Sequence, residues 1–144
     1  MSEPRLMHDL VRYVEELGIV SIAEDGGGQG NVFFSRTPEV PDELVYVNTI
    51  GGVRPDPKLP YRTGTVQFIV RGDRIDARPS YDLASEILSN LHGLWNETLP
   101  EGTYLVSCLA QTGEPVSMGR DDNDRYEWSI TFDAEVQKQL AHQD

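Results

Sequence analysis

The residues with which this chain could do covalent or metal chemistry are three histidines, one cysteine and a short run of acids, and their spacing argues against both. His8, His92 and His142 lie on separate segments, and none forms a His-x-x-x-His or Glu-x-x-His pair that sets two metal ligands on one helical face. His8 and His92 instead read as residues of solvated helix faces. Cys108 alternates with apolar neighbours in "TYLVSCLAQ", the pattern of a small core residue more than of a nucleophile. There is no Gly-x-Ser-x-Gly turn to present a serine. In "DDNDR" an arginine, Arg125, stands at the fifth loop position counted from Asp121, where a calcium loop needs an oxygen ligand. "EDGGGQGN" lacks the Gly-Lys-Ser/Thr of a phosphate loop and runs into β-formers, so it reads as a turn. No pair of carboxylates stands out as buried. Catalysis, a metal and a cofactor therefore have no positive support.

One further motif, Arg71-Gly72-Asp73, has the form of a cell-adhesion signal. Its setting, "VQFIVRGDRIDARPSYDLASEIL", gives a simpler reading. Val66, Phe68 and Val70 alternate with Gln67, Ile69 and Arg71 as a strand does; Gly72-Asp73 is turn chemistry; Pro79 and Ser80 are suited to a helix entry and its N-cap, with Asp82 in the first turn. The tripeptide is expected to be the exit of a strand, not an adhesive loop.

The elements that must position these residues follow from periodicity. Leu6, Met7, Leu10, Val11, Val14 and Leu17 recur at helical spacing, with Ser2 able to cap the start and Gly18 to stop it. "GIVSIA" and "NVFFS" read as strands joined in a hairpin, "TPEVPDE" as a proline-broken connector, and "LVYVNTI" as a third strand. A long proline-rich loop, residues 51–64, is either a contact arm or a stiffened surface loop. After strand "TVQFIVR" comes a helix whose apolar stripe takes in Leu83, Ala84, Ile87, Leu88, Leu91, Leu94 and Trp95. "TYLVSCLAQ" and "YEWSITFDAEV" complete the strands, separated by a 112–125 excursion expected to be mobile. The last strand sets Tyr126, Trp128, Ile130, Phe132, Ala134 and Val136 against Glu127, Ser129, Thr131, Asp133 and Glu135, one face core and the other acidic and wet. The order α-β-β-β-β-α-β-β predicts an α+β fold with a largely antiparallel sheet packed by two helices.

At 144 residues the chain suits a single domain, 1–144, with a frayed end at 137–144, because one core serves up to roughly 200 residues. A single cysteine allows no intrachain disulfide and suits a reducing cytoplasm. "MSEPRLMHDL" lacks the basic, then apolar, start of a signal peptide, and no apolar run nears the roughly 20 residues that cross a bilayer, so no membrane association is expected. Twelve basic against twenty-four acidic residues leave a net charge of -12, which repels a phosphate backbone.

The stretch "PYRTGTVQFIVRGDRIDARPSYDLASEILSNLHGLW", with the closing "RYEWSITFDAEV", resembles the tail terminator and minor capsid proteins of long-tailed bacteriophages. The resemblance implies a structural virion protein, not an enzyme: a homo-hexameric ring at the tail-neck junction, assembled in the host cytoplasm, that caps the tail tube protein and meets the head-tail connector or stopper. DNA would pass through it without specific binding. Under this reading the candidate interface residues are Arg54, Lys58, Tyr61 and Arg62 in the long loop, Arg71 and Arg74 at the corner, and Arg120, Asp121, Asp122 and Asp124 in the excursion. Glu127, Asp133 and Glu135 are candidate lumen residues, or an ordinary solvated sheet face. A head-completion or stopper protein and a cellular α+β ligand-binding domain are the alternatives.

Overall fold

The computed structural model describes residues 5–22, 31–34, 39, 42–52, 54 and 56–137. The expected cap at Ser2, the glycine-rich turn at 23–30, most of the 37–43 connector, His142 and the tail beyond Gln137 lie outside them. Helix α1, Leu6–Glu16, buries Leu6, Leu10, Val11 and Val14, and the chain turns away at Gly18, whose φ of 83° suits glycine. Leu17 was expected on the same stripe but is 47% exposed, because the helix ends one residue before it.

The strands are β1 (Val32–Phe34), β2 (Leu44–Thr49), β3 (Tyr61–Arg71), β4 (Trp95–Thr98), β5 (Tyr104–Ala110), β6 (Val116–Arg120) and β7 (Tyr126–Gln137), with helix α2, Arg78–Leu91, between β3 and β4. They form one sheet in the order β1-β2-β3-β7-β5-β4, with β6 also paired to β7. Only β1 and β2 pair in parallel among these strands. The α+β class, the mostly antiparallel sheet and the two helices are as the alternation predicts.

Four local expectations are corrected. Ile22 bridges Val32 in parallel, so "GIVSIA" and "NVFFS" do not pair as a hairpin. Residues 61–64, assigned to the long loop, are the first part of β3, since Tyr61 to Gly64 pair with Gln137 to Ala134. The α2 stripe does not reach Trp95: the helix stops at Leu91, Gly93 takes a φ of 89°, and Trp95 opens β4 with 70% of its surface exposed. The 112–125 excursion contains β6, antiparallel to β7, and the two are joined by a tight turn in which the Asp121 N–H donates to the Arg125 carbonyl and the Arg125 N–H to the Asp121 carboxylate.

One face of the sheet carries the core. Val45, Val47, Val66, Phe68, Val70, Ile130, Phe132, Ala134 and Val136 project toward Leu10 and Val14 of α1 and Ala84, Ile87 and Leu91 of α2. Phe68 and Phe132 meet edge to face at 5.7 Å. Trp128, half-buried at the margin, donates its indole N–H to Ser80 and lies edge-on to Tyr81. A buried carboxylate ties this layer together: Asp9 of α1 accepts the backbone N–H groups of Glu101 at 2.7 Å and Thr103 at 2.9 Å, fixing the β4–β5 turn against the helix. β7 is the spine. It pairs with β3 over eleven residues on one side and with β6, then β5, on the other.

Candidate functional site

Alternation along β7 sends Arg125, Glu127, Ser129, Thr131, Asp133 and Glu135 to the face opposite the helices. At its first end this face is not open. Arg71 at the end of β3 and Arg125 at the start of β7 are each 3% exposed and turn inward on a shared set of acceptors. Arg71 Nε donates to the carbonyl of Asp42 at 2.9 Å, and its Nη2 reaches the carbonyl of Glu39 at 3.4 Å. Arg125 Nη1 donates to the same Glu39 carbonyl at 2.6 Å and to the Asp42 carboxylate, while its Nε holds Asp121 at 2.9 Å. Two guanidinium groups thus fasten residues 39 and 42 and the β6–β7 turn to one end of the sheet.

Around them is a recess of about 190 Å³, also lined by Tyr46, Asp122, Asn123 and Glu127. Burial opposes ionisation of Asp121, but the backbone N–H groups of Arg125 and Asn123 and the Arg125 guanidinium outweigh it and hold the carboxyl below its usual range. Glu127 goes the other way: burial first, and then the charge of Asp121, raise its pKa against the pull of Arg71, the Tyr46 hydroxyl and Arg125. Burial lowers the pKa of Arg71, and the like charge of Arg125 adds to the effect. The tyrosine is raised as well, by burial and then by Glu127. The arrangement can bind and release a proton at Glu127. It places no nucleophile beside that carboxyl, and no group of three metal-ligating side chains occurs among the described residues.

The corner next to this recess answers the adhesion motif. Arg71 and Gly72 are buried; a Cβ on Gly72 would come within 2.5 Å of Ser80 Oγ, so glycine lets β3 pass against α2. Asp73 accepts the backbone N–H groups of Ile75 and Asp76 and closes the turn with its own side chain. Helix α2 starts at Arg78, with Ala77 at the N-cap, so Ser80 lies within the first turn, donating to the Ala77 carbonyl and accepting from Trp128. It is not the cap.

The remaining site residues divide by setting. Arg74 joins the corner through the Asn123 carbonyl and a 3.6 Å ion pair with Asp42. Arg120 covers the Tyr126 ring. Asp122 and Asp124 are exposed on the β6–β7 turn. Of the three candidate lumen residues, Glu127 lines the recess, whereas Asp133 and Glu135 lie farther along β7, beside Thr65 and Thr63 of β3. Asp133 accepts the Thr65 hydroxyl at 2.7 Å. Arg54 and Lys58 belong to an arm between β2 and β3, whereas Tyr61 and Arg62 are the first residues of β3 at its base, Tyr61 exposed and Arg62 half-buried. Gly52, at a φ of 94°, packs against the Thr63 carbonyl and anchors the arm's first side.

Sequence reasoning did not select Arg125, Glu39 or Tyr46. Arg125 was recoverable: it is in phase with Glu127 and Ser129, which places it on the same face. Cys108 is fully buried, and burial pushes its thiol up to about 12, which leaves no thiolate at neutral pH. His8 pairs with Glu101 at 3.0 Å and stacks on Phe34, and His92 accepts the Ala110 N–H.

The geometry thus offers surfaces and a braced corner. A model of the bacteriophage tail terminator protein family matches residues 13–138, from within α1 past the end of β7. The chain belongs to that family. It is therefore a structural component of a phage tail and of the virion, in a family whose members are structural and not catalytic. A search of curated proteins returned no match. No helix among the described residues is long and apolar enough to cross a membrane.

Proposed function

We propose that the chain closes the end of the completed tail tube as a ring of six identical copies and offers the opposite side of that ring to the head-tail connector or stopper protein. The family match over residues 13–138 carries this reading. Three physical features support it. The braced corner gives a rigid frame, since two buried arginines bond segments far apart in sequence. The arm stands away from that frame, and its described residues from Ile50 to Leu59 are all exposed, as befits a segment that acquires its contacts on assembly. The net charge of -12 lets DNA slide past without being held, because attraction would slow the genome in the channel.

The test is the mass and shape of the purified chain alone and mixed with purified tail tubes, by light scattering and electron microscopy. A ring of six seated at one tube end, with tube growth stopped, is the expected result. A chain that leaves tube ends bare and tube growth unchanged would overturn the proposal.

A further inference from the structure

We infer that copies of this chain join head to tail, the basic arm of one copy seating on the acidic outer face of β5 and β7 of the next. The inference rests on the ring proposed above and names the surfaces that close it.

Two surfaces on one chain are complementary and do not meet within it. Arg54 and Lys58 of the arm make no ion pair among the described residues, in a protein whose acids outnumber its bases two to one. Beside them Leu59 holds 51% of its surface in water. The receiving face presents Asp133 and Glu135, one pleat apart on β7, with Leu109 paired to Asp133 and 53% exposed. Trp95 extends the same row at the sheet edge, since it pairs with Ser107, which pairs with Glu135. The row thus combines two carboxylates with two exposed apolar side chains, the complement of an arm whose two cations flank Asp56, leaving one net positive charge, beside an exposed leucine.

The arm leaves from the end of β3, whose Thr63 is opposite Glu135, while Trp95 lies three strand spacings away, about 14 Å across the sheet. Trp95 and Leu109 remain exposed, so the apolar part of this face is left uncovered within one copy. Two different patches that meet between copies make a heterologous contact, and repetition of such a contact gives a ring where its rotation closes and an open filament where it does not. Arg54 and Lys58 would confer salt sensitivity, and Trp95 is the anchor, because a large exposed aromatic gains most from desolvation. This assigns Asp133 and Glu135 to a contact between copies and not to the channel wall.

The test uses the full chain with one added cysteine, Leu59→Cys in one preparation and Leu109→Cys in another, mixed under ring-forming conditions with tail tubes and then oxidised. Cys108 is buried and stays out of the reaction. Disulfide-linked pairs of one L59C and one L109C chain are expected, and Trp95→Ala should weaken association about thirtyfold. Arg54→Glu with Lys58→Glu should abolish ring formation alone and recover it when mixed with a chain carrying both Asp133→Lys and Glu135→Lys, whose face is now basic. Rings that form without the mixed disulfide, and that tolerate both Trp95→Ala and the charge changes, would overturn this inference and leave the ring itself standing. Cross-links to the tube protein in place of a second copy would overturn it as well. The absence of any ring would overturn the proposed function, and this inference with it.

Discussion

The two faces of the sheet are held by different physics. Beneath the helices, Phe68, Ile130 and Phe132 are shielded from water and from charge, and their stabilisation comes from apolar area removed from solvent. On the outer face, the end near Arg71 and Arg125 is held by directional bonds from two guanidinium groups to carbonyls and carboxylates of two separate segments, the connector at residues 39 and 42 and the β6–β7 turn. The first arrangement tolerates any sequence that keeps the alternation and the volume. The second depends on particular residues, because a buried arginine without its acceptors costs more than it contributes.

Substitutions can break this contrast in order of expected effect. Phe132→Ala should destabilise the chain by about 3 to 5 kcal/mol in denaturant unfolding, since the ring is fully buried against Phe68. Arg125→Ala should cost about 2 to 3 kcal/mol, less than a fully buried pair because Asp42 and Asp121 keep some access to water. It should also raise hydrogen exchange at the β6–β7 turn while leaving the Phe132 region protected, which a uniform core loss would not do. Gly72→Ala should cost about 1 to 2 kcal/mol, because the new Cβ forces β3 away from Ser80.

The smallest effect is electrostatic and depends on pH. The folded-state pKa of Glu127 is raised, so its contribution is present below its unfolded pKa and is lost as pH rises through the folded value. Glu127→Gln, which keeps an acceptor for Tyr46, should therefore melt slightly higher than the native chain at pH 7, with the gain vanishing near about pH 4, where the native carboxyl is largely protonated. Asp121, with its pKa lowered, has the opposite sign. Its contribution is present above its unfolded pKa and is lost as pH falls through the folded value, so Asp121→Asn should destabilise at pH 7. Thermal unfolding of both variants across that range measures the two slopes.

The same contrast explains what could be read from the sequence. The inward phase of β7, the apolar stripes of both helices and the antiparallel order follow from periodicities of two and 3.6, which burial imposes locally. Trp95 was misplaced because an apolar stripe does not record where a helix stops, whereas Gly93 does. The β6–β7 hairpin was missed because β6 is exposed along its length and so carries no alternation. The recess was invisible for another reason. Residues 39, 42, 71 and 125 are joined by strand order, and nothing in the spacing of an arginine names the carbonyl it will bond.

The most direct test of tail-tube capping is electron microscopy of phage particles assembled without this chain, with tail lengths measured. Tails of uncontrolled length, or tails without heads, are the result the account predicts. Tails of normal length joined to filled heads would contradict it.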